Sequence, residues 1–104
     1  MAKVQGRFYF KRTTNGNLIG EWSNNNETRA FSESSDWVSL EDSAYVGMYN
    51  STWQEGQNPV FAKLAITKKQ GGSLFKLEWR GKANFDGEGM LCEDLLIGDY
   101  HQVP

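Results

Sequence analysis

The chain has 104 residues, of which 13% are aromatic, and a formal net charge of −2 at pH 7. A chain of this length usually forms one domain around one hydrophobic core, so we expect residues 1–104 to be a single domain. The slightly acidic balance, with no long run of Lys or Arg, argues against a nucleic-acid partner, which requires clustered basic residues.

The first predicted elements form a hairpin. The segment "RFYFKR" (7–12) alternates, which places Phe8 and Phe10 on one face, and "NLIGEWSN" (17–24) is its predicted partner strand. Between them lies the pair Asn15-Gly16. Asn-Gly is a strong hairpin signal because a type I′ turn needs positive φ at both central residues.

The next segment interrupts the alternation. A weaker third strand is predicted at "ETRAF" (27–31), and "SESSDWVSLEDS" (32–43) follows it. Because residues 32–43 are rich in Ser and acidic side chains, we expect a long solvated connection. The alternative for this segment is a lid over the mouth of a barrel.

Alternation with a period of two residues resumes at residue 44 and continues to the end of the chain. The predicted strands are "AYVGMYNSTW" (44–53), "VFAKLAIT" (60–67), "LFKLEWR" (74–80), "ANFDGEGML" (83–91) and "LLIGDYHQ" (95–102). Seven or eight strands joined by short turns, with no crossover helix, predict an all-β fold. We therefore expect a single antiparallel up-and-down β-barrel in which the last strand pairs with the first, because closure removes free sheet edges.

Three of the predicted strands share a pattern in which Gly is followed two residues later by Trp or Tyr. The pairs are Gly20 with Trp22, Gly47 with Tyr49, and Gly98 with Tyr100. Residues two apart in a strand share a face, so each Gly leaves room for a ring from a neighbouring strand or for a bend. The pattern predicts aromatic rings that stack in a barrel interior.

This pattern, the "GMYNSTW" stretch (47–53) and the late "FDGEG" (85–89) and "LLIGDY" (95–100) segments resemble the calycin superfamily. Within that superfamily the chain is most similar to avidin-like and lipocalin-like barrels. The resemblance implies an up-and-down barrel that encloses a small ligand or a short peptide in its mouth. The chain departs from these families in being shorter, and in having no C-terminal helix of the lipocalin kind.

The sequence contains no recognisable catalytic or metal-binding constellation. Cys92 and His101, the only residues of their types, fall at opposite ends of the last two predicted strands, so we expect Cys92 to be a buried or half-buried structural residue. Glu21 and Asp99 are predicted to be outward surface charges by strand parity. We therefore expect no catalytic residue, no metal and no cofactor, and an enzyme is the class of function that the sequence supports least.

An aromatic inner face is the remaining candidate for a binding site. Two interpretations stay open, a solid aromatic core and a cavity that holds a ligand, because an eight-stranded barrel is just wide enough for either. In the second interpretation Trp53 lies near the rim of the mouth, with Tyr49 and Ser51 beside it. The candidate ligand-binding residues are Trp22, Tyr45, Tyr49, Ser51, Trp53, Trp79 and Tyr100.

The predicted function is non-catalytic binding of a small organic ligand or short peptide in an aromatic-lined barrel mouth. The alternative is a protein–protein interaction or inhibitor module, or a homo-oligomer subunit, that uses an outer sheet face and needs no small-molecule ligand. The outward apolar residues behind this alternative are Tyr9, Ile19, Val46, Met48 and Phe61. With no secretory signal, one cysteine and no apolar run of about 20 residues, we expect a cytoplasmic protein without a membrane partner.

Overall fold

A computed structural model describes residues 3–27, 29–40 and 44–104. These residues form eight strands and no helix. The strands are β1 (Gln5–Arg12), β2 (Leu18–Asn24), β3 (Phe31–Leu40), β4 (Gly47–Glu55), β5 (Asn58–Lys68), β6 (Leu74–Gly81), β7 (Asn84–Cys92) and β8 (Leu95–Val103). Each strand pairs antiparallel with the next, and β8 pairs with β1 to close the barrel. The predicted all-β, antiparallel up-and-down barrel is therefore confirmed.

The first hairpin forms where the sequence predicts it, with a longer turn. Strands β1 and β2 pair in a register that places Phe8 opposite Trp22. Residues 13–17 connect them, and Gly16 has φ of 88° while Asn15 does not take a positive φ. The Gly16 N–H donates to the Thr13 carbonyl at 3.0 Å. A five-residue loop with one left-handed glycine therefore replaces the predicted type I′ turn.

The prediction for residues 32–43 is wrong over the part that the structure describes. Residues 32–40 are neither a connection nor a lid but most of strand β3, which pairs with both β2 and β4. Residues 41–43 lie outside the described residues. The prediction of a strand at 27–31 is also wrong, because only Phe31 of this segment belongs to β3. Thr28 lies outside the described residues. The reason is chemical: the inward side chains of β3 include Glu33 and Ser35, so the usual apolar alternation is missing.

The glycines of the repeated pattern are points of close approach between strands. A Cβ added to Gly98 would overlap the carbonyl oxygen of Glu88, and one added to Gly20 would overlap the carbonyl oxygen of Tyr9. The aromatic residues two positions after these glycines, Trp22 and Tyr100, are buried. The prediction that this pattern turns rings inward is confirmed, whereas the space at these two glycines is taken first by the backbone of the neighbouring strand and not by a ring.

One end of the barrel is closed by Tyr45. Its hydroxyl lies 2.7 Å from the Asp94 carbonyl oxygen and 3.1 Å from that of Phe10, and it accepts a hydrogen bond from the Arg12 N–H at 3.1 Å. Below it, the Tyr49 hydroxyl donates to the Tyr45 carbonyl at 2.9 Å. Tyr45 has φ of 69°, which is strained for a bulky residue and persists only where surrounding contacts hold it. The tyrosine pair therefore closes this end of the interior, above the buried aliphatic core.

Candidate functional site

The opposite end of the barrel contains a cavity of about 220 Å³. It lies where β2, β4, β6 and β8 end and where β1, β3 and β7 begin. Because inward positions recur every second residue, each of these strands contributes a large side chain to the wall. The aromatic residues of the wall are Phe8, Trp22, Trp53, Trp79, Phe85 and Tyr100.

Five of the six rings of this wall, all except that of Trp22, contact one another in a continuous series. The ring centroids of Trp53 and Phe85 are 6.4 Å apart, and those of Phe85 and Tyr100 are 5.7 Å apart. Tyr100 then lies 6.0 Å from Trp79, which lies 5.5 Å from Phe8. Tilted and edge-to-face contacts of this kind hold aromatic rings in fixed positions. These rings therefore form one continuous apolar part of the cavity wall.

A carboxyl group, Glu33, is buried in this wall with only 7% of the residue exposed. The Trp79 indole N–H donates to its Oε2 atom at 2.9 Å. Burial raises the pKa of Glu33 to about 7, against the opposing effect of hydrogen bonds from Trp79 and Ser51. Near neutral pH this group can therefore exist both as a neutral acid and as a carboxylate.

The remaining polar groups of the mouth lie nearer its rim. The Trp53 indole N–H donates to Glu55 at 3.1 Å, and the Asn24 side-chain amide donates to the Tyr100 hydroxyl at 3.2 Å. Trp22 differs from the other two tryptophans of the wall. Its buried indole N–H has no hydrogen-bond acceptor among the described residues. The mouth thus contains one donor that the described part of the barrel does not satisfy.

The structure brings four of the seven predicted site residues to the cavity, and these are Trp22, Trp53, Trp79 and Tyr100. Tyr45, Tyr49 and Ser51 are inward and buried as predicted, but none of them lines the cavity. The Ser51 hydroxyl is 2.6 Å from that of Ser35, deeper in the barrel. The prediction that Tyr49 and Ser51 line the mouth beside Trp53 is therefore wrong.

Sequence reasoning missed Glu33 altogether. It stands in the segment that was predicted to be solvated, between Ser32 and Ser34, and nothing in its local composition distinguishes it from a surface acid. The one feature that indicates an inward Glu33 is its position in the two-residue alternation of a strand. Phe31, Glu33 and Ser35 alternate with exposed residues 32, 34 and 36, which is the period of a strand whose inner face is partly polar.

The other groups considered from the sequence lie on the outside. Cys92 is exposed, so the prediction of a buried or half-buried structural cysteine is wrong, because Cys92 shares the outward positions of β7 with Glu88 and Met90. His101, Glu21 and Asp99 are also exposed, as predicted for the two acids. No group of three or more His, Cys, Asp or Glu residues in the described ranges could hold a metal ion. Nor do those ranges contain a helix that is long and apolar enough to span a bilayer.

The outer surface has an apolar row that crosses four adjacent strands. Leu74 on β6 pairs with Met90 on β7, Met90 with Ile97 on β8, and Ile97 with Tyr9 on β1. All four side chains are exposed. Of the predicted outward set only Tyr9 belongs to this row. The others are spread around the barrel, exposed at Ile19, Met48 and Phe61 and partly buried at Val46.

Comparison of the chain with protein-family models, curated proteins and solved structures gave no match to any of the three. The resemblance to calycins therefore stays a prediction at the level of family, while the closed barrel itself is observed. Any function must be argued from the chemistry of the cavity and the surface.

Proposed function

We propose that this protein is a calycin-like binding module that holds a small organic ligand in the open mouth of its barrel. The observation that supports this function is the cavity of about 220 Å³ at one end, walled by six aromatic residues around the buried Glu33. Small-molecule sites are usually concave and apolar, with a few polar groups that orient the ligand. The volume favours a small molecule over a peptide.

The two ends of the barrel differ in a way that suits this function. Tyr45 and Tyr49 close one end through hydrogen bonds to backbone carbonyls, so a ligand enters and leaves by the other. The mouth is rigid because its rings contact one another and Trp79 is fixed by its hydrogen bond to Glu33. A preorganised cavity binds with little loss of side-chain entropy.

The indole N–H signals in two-dimensional NMR spectra test this function directly. The chain has four tryptophans, of which Trp22, Trp53 and Trp79 line the cavity, whereas Trp37 is 48% exposed and does not line it. Titration with a library of small neutral and charged fragments is expected to shift the three mouth signals in a saturable way. Trp37 is the internal control, because it lies against Gly16 in the turn at the closed end.

The proposal would be contradicted if no fragment moved the mouth signals, or if each active fragment moved the Trp37 signal to the same extent. The first outcome would mean that the cavity does not accept ligands. The second would mean that fragments bind the surface without selectivity. A native mass spectrum of freshly purified protein would add the mass of any ligand that is carried through purification.

Self-association through an outer sheet face is a second candidate function, because the row of Leu74, Met90, Ile97 and Tyr9 is contiguous and exposed. Contiguous apolar surface of this kind often marks an interface between proteins. Sedimentation velocity at micromolar concentration is then expected to show a dimer. Ile97→Lys should dissociate it by placing a desolvated charge in the contact. Phe61→Lys, an equally apolar exposed position on β5, should not, and a wild-type monomer at all concentrations would rule out this function.

A further inference from the structure

The cavity is acidic as well as aromatic. Three carboxyl groups line it, those of Glu27, Glu33 and Glu55, and the described residues of the lining include no Lys, Arg or His. Glu27 and Glu55 are exposed at the rim, whereas Glu33 is buried. A mouth of this composition repels anions and favours cations.

Glu33 has no cationic partner among the described residues. Its Oε2 atom accepts a hydrogen bond from Trp79, and each ion pair found in the described ranges lies elsewhere, on the outside of β6, β7 and the β5–β6 connection. Transfer of an ionised carboxylate from water into an apolar wall is costly unless a positive charge accompanies it. A bound cation would supply that charge and would favour the ionised form of Glu33.

The aromatic wall offers a second attraction for a cation. The faces of Trp and Tyr rings carry partial negative charge and attract ammonium and guanidinium groups, most strongly when water is excluded. The protein already shows one such contact beside the mouth. The Arg29 guanidinium lies 5.1 Å from the centroid of the Phe31 ring, which stacks on Trp22 at 4.9 Å. Arg29 does not line the cavity and leaves its interior without a positive charge.

Trp22 adds a preference for an oxygen atom in the ligand. It is 9% exposed, lines the cavity, and its indole N–H has no acceptor among the described residues. A buried donor without an acceptor is destabilising, because the hydrogen bond to water that it loses is not replaced. A ligand hydroxyl or carbonyl group beside Trp22 would remove this cost.

The geometry points to a small organic cation as the ligand of the mouth, an alkylammonium compound that carries a hydroxyl or carbonyl oxygen. This inference rests on the proposed binding function and adds the charge of the ligand to it. The ammonium group lies between Glu33 and the rings of Trp53, Trp79 and Tyr100. The oxygen atom accepts from Trp22.

Choline and its uncharged carbon analogue, 3,3-dimethylbutan-1-ol, are matched probes because they have nearly the same shape and differ in charge. Each is titrated at pH 8 into wild-type protein, and the indole signals of Trp22, Trp53 and Trp79 are followed. Choline is expected to bind at least about tenfold more tightly than the neutral alcohol. The choline-induced shifts should be largest at Trp79, which is hydrogen-bonded to Glu33.

Two variants assign the effect to the buried carboxyl. Glu33→Gln keeps the size of the side chain and an acceptor for the Trp79 indole N–H. It is expected to weaken the affinity for choline by about tenfold and to change the affinity for the neutral alcohol by less than about twofold. Glu21→Gln is the matched control, because Glu21 is exposed on the outer face of β2 and does not line the cavity. It should leave both affinities unchanged.

Equal or tighter binding of the neutral alcohol, or unchanged choline binding in Glu33→Gln, would overturn the inference and leave the binding function standing. Absence of choline binding would also overturn it. Whether the binding function then falls is decided separately by the fragment library, since a mouth that accepts neutral fragments remains a binding site. The failure of one proposal is thus distinguishable from the failure of the other.

Discussion

The Glu33→Gln variant is expected to be more stable than the wild-type protein at pH 8, by about 3 kcal/mol, and nearly equal to it at pH 4. Burial raises the pKa of Glu33 from 4.5 in the unfolded chain to about 7 in the folded barrel. Between these values the folded state keeps a proton that the unfolded state releases. The wild-type free energy of unfolding therefore falls as the pH rises from about 4.5 to 7, and this contribution is constant above that range.

Urea unfolding of both proteins at pH 4, 6 and 8 measures this difference. The groups that face Glu33 are Trp79, Ser51 and Tyr100, and burial raises the pKa of Tyr100 to about 12, so that it stays protonated throughout. The rim acids Glu27 and Glu55 are present in both proteins, so their effects cancel in the comparison. A difference in stability that does not change with pH would show that Glu33 does not titrate as a buried acid.

Gly98→Ala is expected to destabilise the barrel by about 3 kcal/mol or more, at or above the upper end of ordinary overpacking. The added Cβ would overlap the Glu88 carbonyl oxygen and lie 2.7 Å from the Cα of Gly89. Both are backbone atoms of β7, which cannot move away without breaking its hydrogen bonds to β8. The cost therefore falls on strand pairing and not on a flexible side chain.

Gly72→Ala is the matched control for this change. Gly72 lies in the β5–β6 turn, and the nearest atom to an added Cβ is the Leu74 nitrogen at 4.0 Å. The free energy of unfolding of this variant should stay within about 0.5 kcal/mol of wild type. If urea unfolding showed that Gly98→Ala also leaves the free energy of unfolding within this range, it would contradict the close approach of β7 and β8 at this position.

The sequence predicted the barrel because most of its strands follow the simple rule of apolar residues inside. Strand β6 is the clearest case, with Phe75, Leu77 and Trp79 buried and the residues between them facing water. Strand β3 also alternates between buried and exposed side chains, but its buried side chains include the polar residues Glu33 and Ser35. A rule based on apolar periodicity does not detect such a strand. It therefore does not predict that Glu33 is buried in the mouth.

Depth along the barrel axis was the other quantity that the sequence did not determine. Parity correctly placed Tyr49, Ser51 and Trp53 on the inner face, because side chains alternate strictly along a strand. Their distance from either end depends on strand tilt and on the stagger between neighbouring strands, which are properties of the closed sheet. Only Trp53 reaches the mouth, while Tyr49 lies beside the residue that closes the other end.

Closure of the barrel by β1 and β8 also has a consequence for how the protein folds. Phe8 pairs with Gly98, so the contact that completes the sheet joins segments almost the whole chain apart. Contacts of such long range are slow to form, because the entropy of loop closure is lost before the contact stabilises the sheet. Until β8 is in place, one edge of β1 has unpaired N–H and C=O groups that a second chain can pair with. Dilute conditions during refolding, and slow removal of denaturant, therefore favour closure of the barrel over intermolecular sheets.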